Sequence, residues 1–370
     1  MEVRYAKNHK EVDDAYELAA SIFGDNYPES KQTLDNVRSI EPLENLEDAI
    51  VVADGTDIWG FVRILSRRFY SPIGLVAGGG ITTVCIHPKL RGLGWGLEVM
   101  DYSIRRSNER GDLFSILFAR RAVDGWYRKL GYVGIGCHPF IEVDRTYVPD
   151  WLQTFTGHFD LGVHAESSAI YQKAYEDSYR DMFLGFYRDS SWWRNVGLHI
   201  NPKINVNDFI NVYVGGKIIG YWVSDGSKIV ECCSLAAHRM DFMAALISHT
   251  ETIHTEKLIL SLPPNHWCTK ILNVMNHTLS VRYSWNGGHM VRILDSKKFI
   301  EIIPDMENPD SKIASGGVLN QYDVSLHEDA KELLESLVGS ESPDSCIYRQ
   351  SHRKILTREI LPAWSIIDQL

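Results

Sequence analysis

The run from Val84 to Gly96, Val-Cys-Ile-His-Pro-Lys-Leu-Arg-Gly-Leu-Gly-Trp-Gly, holds residue types at a spacing that can do chemistry. It reads as a strand, a turn at Pro88 and a glycine-rich loop that opens a helix over residues 95–107. The first N–H groups of a helix have no partner inside it, and the aligned peptide dipoles place partial positive charge there. Gly92, Gly94 and Gly96 remove side chains that would hold a ligand away from those N–H groups, and Arg91 adds a fixed charge at the rim. The backbone from Arg91 through Leu93 and Trp95 to Gly96 is therefore expected to cradle a pyrophosphate. Neither the dinucleotide spelling G-x-G-x-x-G nor the P-loop spelling G-x-x-x-x-G-K-[ST] occurs there.

Downstream, residues 113–119 form a short apolar run consistent with a buried strand. Asp124-Gly-Trp-Tyr-Arg-Lys-Leu-Gly-Tyr132 follows it. The strand V-x-I-x-P running into Arg91-x-x-Gly94-x-Gly96 resembles the acetyl-CoA signature of the GCN5-related N-acetyltransferases, the GNAT superfamily. The later segment is similar to that family's F-Y-x-x-x-G-[FY] stretch. The resemblance implies acetyl-CoA as co-substrate, no metal, and pantetheine running beside Val84 and Ile86. It also implies an oxyanion-stabilising N–H near Cys85 or Ile86, and Tyr127 as the acid that protonates the departing thiolate. A Tyr127 that only packs against the cofactor is the alternative, and Cys85 reads as a packing residue rather than a nucleophile. The family's acceptor pocket falls at the break between the first two helices, where Asp25 is the candidate to hold an ammonium group.

The elements that must position these residues follow from periodicity. A strand at residues 3–6 precedes a helix over 11–23, in which Val12, Ala15, Leu18, Ala19 and Ile22 share one face. A second helix is expected near residues 30–37, then strands at 49–53, 58–65 and 75–86. The Gly78-Gly79-Gly80 run lies before the cradle and suggests a bend or bulge in the last of these. Beyond residue 145 periodicity fades. Tyr171, Tyr175 and Tyr179 then repeat every fourth position, an aromatic helix face better suited to packing than to a ligand.

Strands at 210–214, 218–223 and 229–235, a helix at 239–250 and a strand at 257–262 repeat the first unit's order. Where a second cradle would lie, Ala236-Ala237-His238-Arg239-Met240 has no glycine. A strand at 290–294, a short helix at 297–303 and an amphipathic helix at 330–338 come next, and the tail ends in the apolar Leu361-Pro-Ala-Trp-Ser-Ile-Ile-Asp-Gln-Leu370.

The fold class expected is α/β (α+β): tandem GNAT-like mixed sheets flanked by helices, plus a small C-terminal α/β segment. The expected boundaries are 1–145 for a catalytic unit, 146–295 for a degenerate one, and 296–370 for a trimmed, sterol-carrier-like segment with a docking tail. This order resembles the Eis (enhanced intracellular survival) type. That resemblance implies a terminal carboxylate, here that of Leu370, entering the active site as a base.

The chain has 370 residues, 44% hydrophobic, with a formal net charge of −10. That charge argues against a nucleic-acid partner and suits a cationic acceptor. No apolar run is long enough to span a bilayer, the start has no signal-like segment, and six cysteines without C-x-x-C spacing suit a reduced, cytoplasmic protein. The expected activity is acetyl transfer to a primary amine of an amino sugar, aminoglycoside, polyamine or lysine-like acceptor. Homo-oligomerisation is possible, with no membrane partner. A silent CoA sensor, or a scaffold working through the aromatic helix, is the alternative.

Overall fold

The computed structural model describes residues 1–24, 34–35, 38, 43–134, 139–144, 155–182, 184–194, 209–225, 228–252, 257–262, 266–274, 279–283 and 288–302. Asp25, most of the second expected helix and everything after residue 302, Leu370 included, lie outside the described residues.

The first unit runs β1 (Glu2–Tyr5), α1 (His9–Gly24), β2 (Ala49–Asp54), β3 (Asp57–Ser71), β4 (Gly74–Ile86), α2 (Trp95–Glu109), β5 (Phe114–Ala119), α3 (Asp124–Arg128) and β6 (Val133–Gly134). The second runs β7 (Pro139–Asp144), β8 (His158–Leu161), α4 (Ser168–Tyr179), α5 (Ser190–Arg194), β9 (Phe209–Val214), β10 (Lys217–Asp225) and β11 (Lys228–Ser234). It continues with α6 (Arg239–Thr252), β12 (Lys257–Ser261), α7 (Trp267–Val274), β13 (Leu279–Tyr283), β14 (Gly288–Ile293) and α8 (Ser296–Glu301).

Each unit is a mixed sheet with helices on both faces. In β2 five consecutive apolar residues are buried, as a strand covered on both sides requires. Val12, Ala15, Tyr16 and Ala19 of α1 pack with Val51, Phe61 and Cys85 on one face. Val99, Met100 and Ile104 of α2 pack with Val62, Ile64 and Tyr127 on the other. In the second sheet the neighbours Cys232 and Cys233 enter opposite cores, as alternation along a strand dictates.

Sheet membership does not follow chain order. The first sheet is ordered β1-β2-β3-β4-β5-β14-β6 and the second β13-β7-β12-β11-β10-β9-β8. The units exchange strands: β14 lies antiparallel to β5 from Gly288↔Ala119 to Ile293↔Phe114, while β7 lies between β12 and β13. A second seam joins them where β3 overruns its sheet. There Tyr70 N–H donates to Gly185 O at 2.8 Å, and Leu184 N–H to Tyr70 O at 3.1 Å.

The glycine run needs a different explanation from the expected bend. Gly78, Gly79 and Gly80 pair regularly with both β3 and β5. A Cβ on Gly78 would meet the Phe114 and Phe69 rings at 2.8 and 2.9 Å, and one on Gly79 the Ser107 hydroxyl at 2.4 Å. Close approach of side chains, not curvature, excludes larger residues here.

Tyr171, Tyr175 and Tyr179 of α4 are fully buried against β9, β10 and β11, so this face is core and offers no working surface to a partner. Nearby, Arg188 donates to both Glu231 carboxylate oxygens at 2.9 and 2.7 Å, and its guanidinium lies over the Tyr175 and Trp192 rings. The two ends of that pair compensate each other's lost hydration.

Candidate active site

β4 and β5 are parallel neighbours only from Gly78↔Phe114 to Ile81↔Leu117, and beyond that point β4 continues without β5. The parting coincides with an irregularity against β3. Thr82 pairs with Arg63 and Cys85 with Phe61, so Thr83 and Val84 stand opposite Val62 alone. Thr83 takes φ +56°, a conformation that a β-branched residue adopts at a cost of about 1–3 kcal/mol. His87 N–H bonds Trp59 O at 2.8 Å. The odd positions of this stretch thus face β3, and Val84 and Ile86 turn their backbone groups into the gap. Their side chains pack on the α2 side, whereas Cys85 is buried on the α1 side. Burial pushes the Cys85 thiol up to about 12, which keeps it protonated and unreactive at neutral pH.

The gap opens onto the start of α2. Gly94 is the N-cap at φ +91° with no side-chain cap, and Gly92 stands at φ +80°. A Cβ on either would project into open space, so the loop's outer surface is bare backbone. Among the described residues, no acceptor is bonded by the N–H groups of Gly92, Gly94, Trp95 and Gly96, while Leu97 and Glu98 N–H already bond Gly94 O. Arg91 is exposed beside them, its Nε 3.4 Å from Ile86 O, and Leu93 is exposed on the loop's outer side. Unpaired donors, partial positive charge and an exposed guanidinium at the rim fit a diphosphate.

Gly96 serves a different end. A Cβ there would meet the Trp126 ring at 3.2 Å, so the third glycine lets α3 pack on the first turn of α2. Trp126 in turn packs edge-on against Tyr127, with ring centroids 4.8 Å apart. Glycine spacing at the cradle thus brings the Tyr127 ring beside it. Tyr127 is 8% exposed and packs with Val84, Ile86 and Trp95 in one cluster. Burial raises its phenol to about 12. Behind it Tyr132 shares a 2.6 Å hydrogen bond with Ser115, which anchors the turn after α3.

Residues 2–134 match the family model described as an acetyltransferase (GNAT) domain. The first unit is a GNAT acetyltransferase domain. The match covers the first unit and does not extend to the rest of the chain. The GCN5-related N-acetyltransferase of Kribbella flavida superposes over 82% of this chain and 76% of its own at TM-score 0.55 and 17% identity. A probable N-acyltransferase from Enterococcus faecalis does so over 82% and 75% at TM-score 0.59 and 16% identity. Eis1 from Mycobacterium abscessus superposes over 82% and 76% at TM-score 0.55 and 15% identity. No curated protein sequence matches the chain.

In the second unit, too, two parallel neighbours part early. β11 and β12 pair only at Lys228↔Ile259 and Ile229↔Leu260. His266 Nε2 then lies 3.1 Å from Cys232 O, and the Ser178 hydroxyl accepts from Ser234 N–H at 3.1 Å. In the turn that precedes α6, Asp177 of α4 accepts from Ala236 N–H at 3.1 Å.

Of the residues predicted from sequence, Val84, Ile86, Arg91–Gly96 and Tyr127 lie around the gap, whereas Cys85, expected among the cofactor contacts, faces β3 and is buried on the α1 side. Asp25 and Leu370 are outside the described residues. Thr83 was missed. The only signal for it was a pair of hydroxyl residues, Thr82-Thr83, inside an otherwise apolar strand.

Proposed function

We propose that the first unit transfers the acetyl group of acetyl-CoA to a primary amine of a small or cationic acceptor by direct attack. The observation that carries this is the row of unpaired N–H groups at the start of α2, next to a gap where β4 exposes the backbone of Val84 and Ile86. The cradle holds the pyrophosphate, and Val84 and Ile86 pair with the pantetheine amides as an added strand would. Acetyl-CoA supplies an acyl carbon already activated as a thioester. The amine, once deprotonated, forms the N–C bond as the C–S bond breaks, and the thiolate takes up one proton for the one the amine has lost. A net charge of −10 favours the approach of cationic amines such as amino sugars, polyamines or lysine-like compounds.

Tyr127 acts on the sulfur. At a pKa of about 12 its phenol is protonated throughout the neutral range, as a donor must be. Full transfer to a thiolate, taking the ordinary thiol value of about 8.5, is uphill by about 5 kcal/mol. Its contribution is then a hydrogen bond to the charge growing on sulfur, with the proton reaching the released thiolate from solvent. Tyr127→Phe is expected to lower kcat by about 10–100-fold, the worth of a hydrogen bond to a charged group, with KM for acetyl-CoA within about threefold. Steady-state assay of thiol release checks it, and a KM effect alone would reduce Tyr127 to a packing residue.

Calorimetric titration with acetyl-CoA tests the reading itself. One site per chain, followed by amine-dependent thiol release across a panel of amino sugars and polyamines, is the expected result. Two sites would mean that the second unit takes a cofactor too. Binding without turnover for any amine would favour a CoA sensor.

A further inference from the structure

We infer that Phe118, with His289 edge-on beside it, forms a wall against the acceptor and selects an amine carried on an aryl or similarly flat apolar body. The inference rests on the acetyltransferase reading and narrows its acceptor. The gap between β4 and β5 is walled on one face by Trp95, Trp126 and Tyr127, which pack in one cluster with Val84 and Ile86. A donor lying in the gap is therefore met by an amine from the opposite face, the one on which Cys85 is buried. Phe118 is the first residue of β5 past its last pair with β4, Ile81↔Leu117. Its neighbours Leu117 and Ala119 both lie in the cluster on the α2 face, so alternation along the strand turns Phe118 to the acceptor's face. The ring is 36% exposed, although every other residue from Phe114 to Ala119 is buried.

The surroundings of the ring decide what it takes. His289 of β14 stands directly opposite Phe118 in register, and the two rings meet edge-on with centroids 5.2 Å apart at 81°. Met290 packs on the α2 face, so His289 and Val291 share the face of Phe118 and Ile116. The pair Val291↔Ile116, next inward, is apolar and buried. Phe118 is thus held by its neighbours and offers a rigid apolar surface at the open end of the sheet. None of the positions that β5 and β14 place on this face, Phe114, Ile116, Phe118, His289, Val291 and Ile293, carries a carboxylate. These strands hold no counter-charge for the further ammonium groups of a polyamine. What they offer is flat apolar surface, on which an aryl ring stacks or which it meets edge-on. A pantetheine paired as an added strand runs about 4.8 Å from β5, a distance that a two-carbon arm between ring and amine spans. The single ammonium of such an acceptor is still drawn by the chain's net charge of −10.

Calorimetric titration of the full chain saturated with CoA, using 2-phenylethylamine, spermidine and glucosamine as probes, tests this without turnover. 2-Phenylethylamine should bind at least about 10-fold more tightly than spermidine or glucosamine, the worth of burying one aromatic face. Phe118→Ala should weaken 2-phenylethylamine by at least about 10-fold and Phe118→Trp by no more than about threefold, with spermidine unmoved. Acetyl-CoA affinity should stay within about threefold in both variants, since the cradle is untouched, and Tm should stay close to that of the natural chain. In steady state, KM for the arylamine should rise in Phe118→Ala while KM for acetyl-CoA holds. Tighter binding of spermidine or glucosamine overturns the inference, as does an arylamine affinity that Phe118→Ala leaves unmoved, or no arylamine binding at all. Loss of acetyl-CoA and arylamine together in Phe118→Ala would make Phe118 structural and overturn it too. Failure of the acetyltransferase reading looks different, because the natural chain would then not bind acetyl-CoA.

Discussion

Gly94→Trp should weaken acetyl-CoA binding by at least about 100-fold, or about 2.7 kcal/mol, while leaving the protein folded. Gly94 is the N-cap of α2 at φ +91°, and a Cβ there projects into open space. An indole at that position would cover the N–H groups of Trp95 and Gly96, which among the described residues donate to no acceptor. It would also disfavour the left-handed backbone that aims them. The two effects are separable. Gly111, just past the other end of α2, has φ +79° and equally open surroundings. Gly111→Ala introduces comparable backbone strain far from the cradle, and it should bind acetyl-CoA normally. Calorimetry on both variants decides the matter: equal losses would trace the effect to helix strain, and an unaffected Gly94→Trp would remove the cradle from the mechanism.

Residues 1–145 expressed alone should not form a stable acetyltransferase unit. The sheet that carries the active site takes β14 between β5 and β6, and β14 belongs to residues 288–293. Met290, Val291 and Ile293 are buried in that sheet, and Phe299 and Ile302 follow them into the core. At about 1.5–3 kcal/mol for each buried side chain, five of them amount to about 8–15 kcal/mol, as large as the whole stability of an ordinary domain. Truncation would also bare the full edge of β5, an open template for aggregation. Circular dichroism and gel filtration of residues 1–145, compared with residues 1–302, check this. A monomeric, cooperatively melting 1–145 fragment that binds acetyl-CoA would show the exchanged strand to be dispensable.

These two results bear on how much of the molecule was legible in its sequence. The cradle was legible because everything it needs is local. Strand, proline turn, glycines and helix start lie within thirteen consecutive residues, and unpaired N–H groups at a helix start do not depend on distant contacts. Tyr127 was singled out by the resemblance of its segment to a family motif, and the Trp126 ring resting on Gly96 is what sets it beside the cradle. The absence of glycine at Ala236–His238 is a local feature, whereas Asp177 and His266, which bond Ala236 N–H and Cys232 O, come from other elements.

What lay beyond sequence reading depended on register between segments far apart in the chain. Pattern placed a strand at 290–294, inside the expected second unit, and none at 139–144, because an apolar strand pairs with any edge of suitable length. Which edge it takes is set by the cores that Met290 and Phe299 help to fill. The glycine run was assigned to curvature, whereas the Phe114, Phe69 and Ser107 side chains determine it from neighbouring elements. Thr83 was invisible for a related reason. Its φ of +56° exists because two residues of β4 face one residue of β3, a mismatch that only the assembled sheet creates. Sequence alone determined a run of local backbone donors and the charge beside them. Tertiary structure decided which strands complete the sheet around them and where β4 bulges, because both depend on pairings that local preference does not specify.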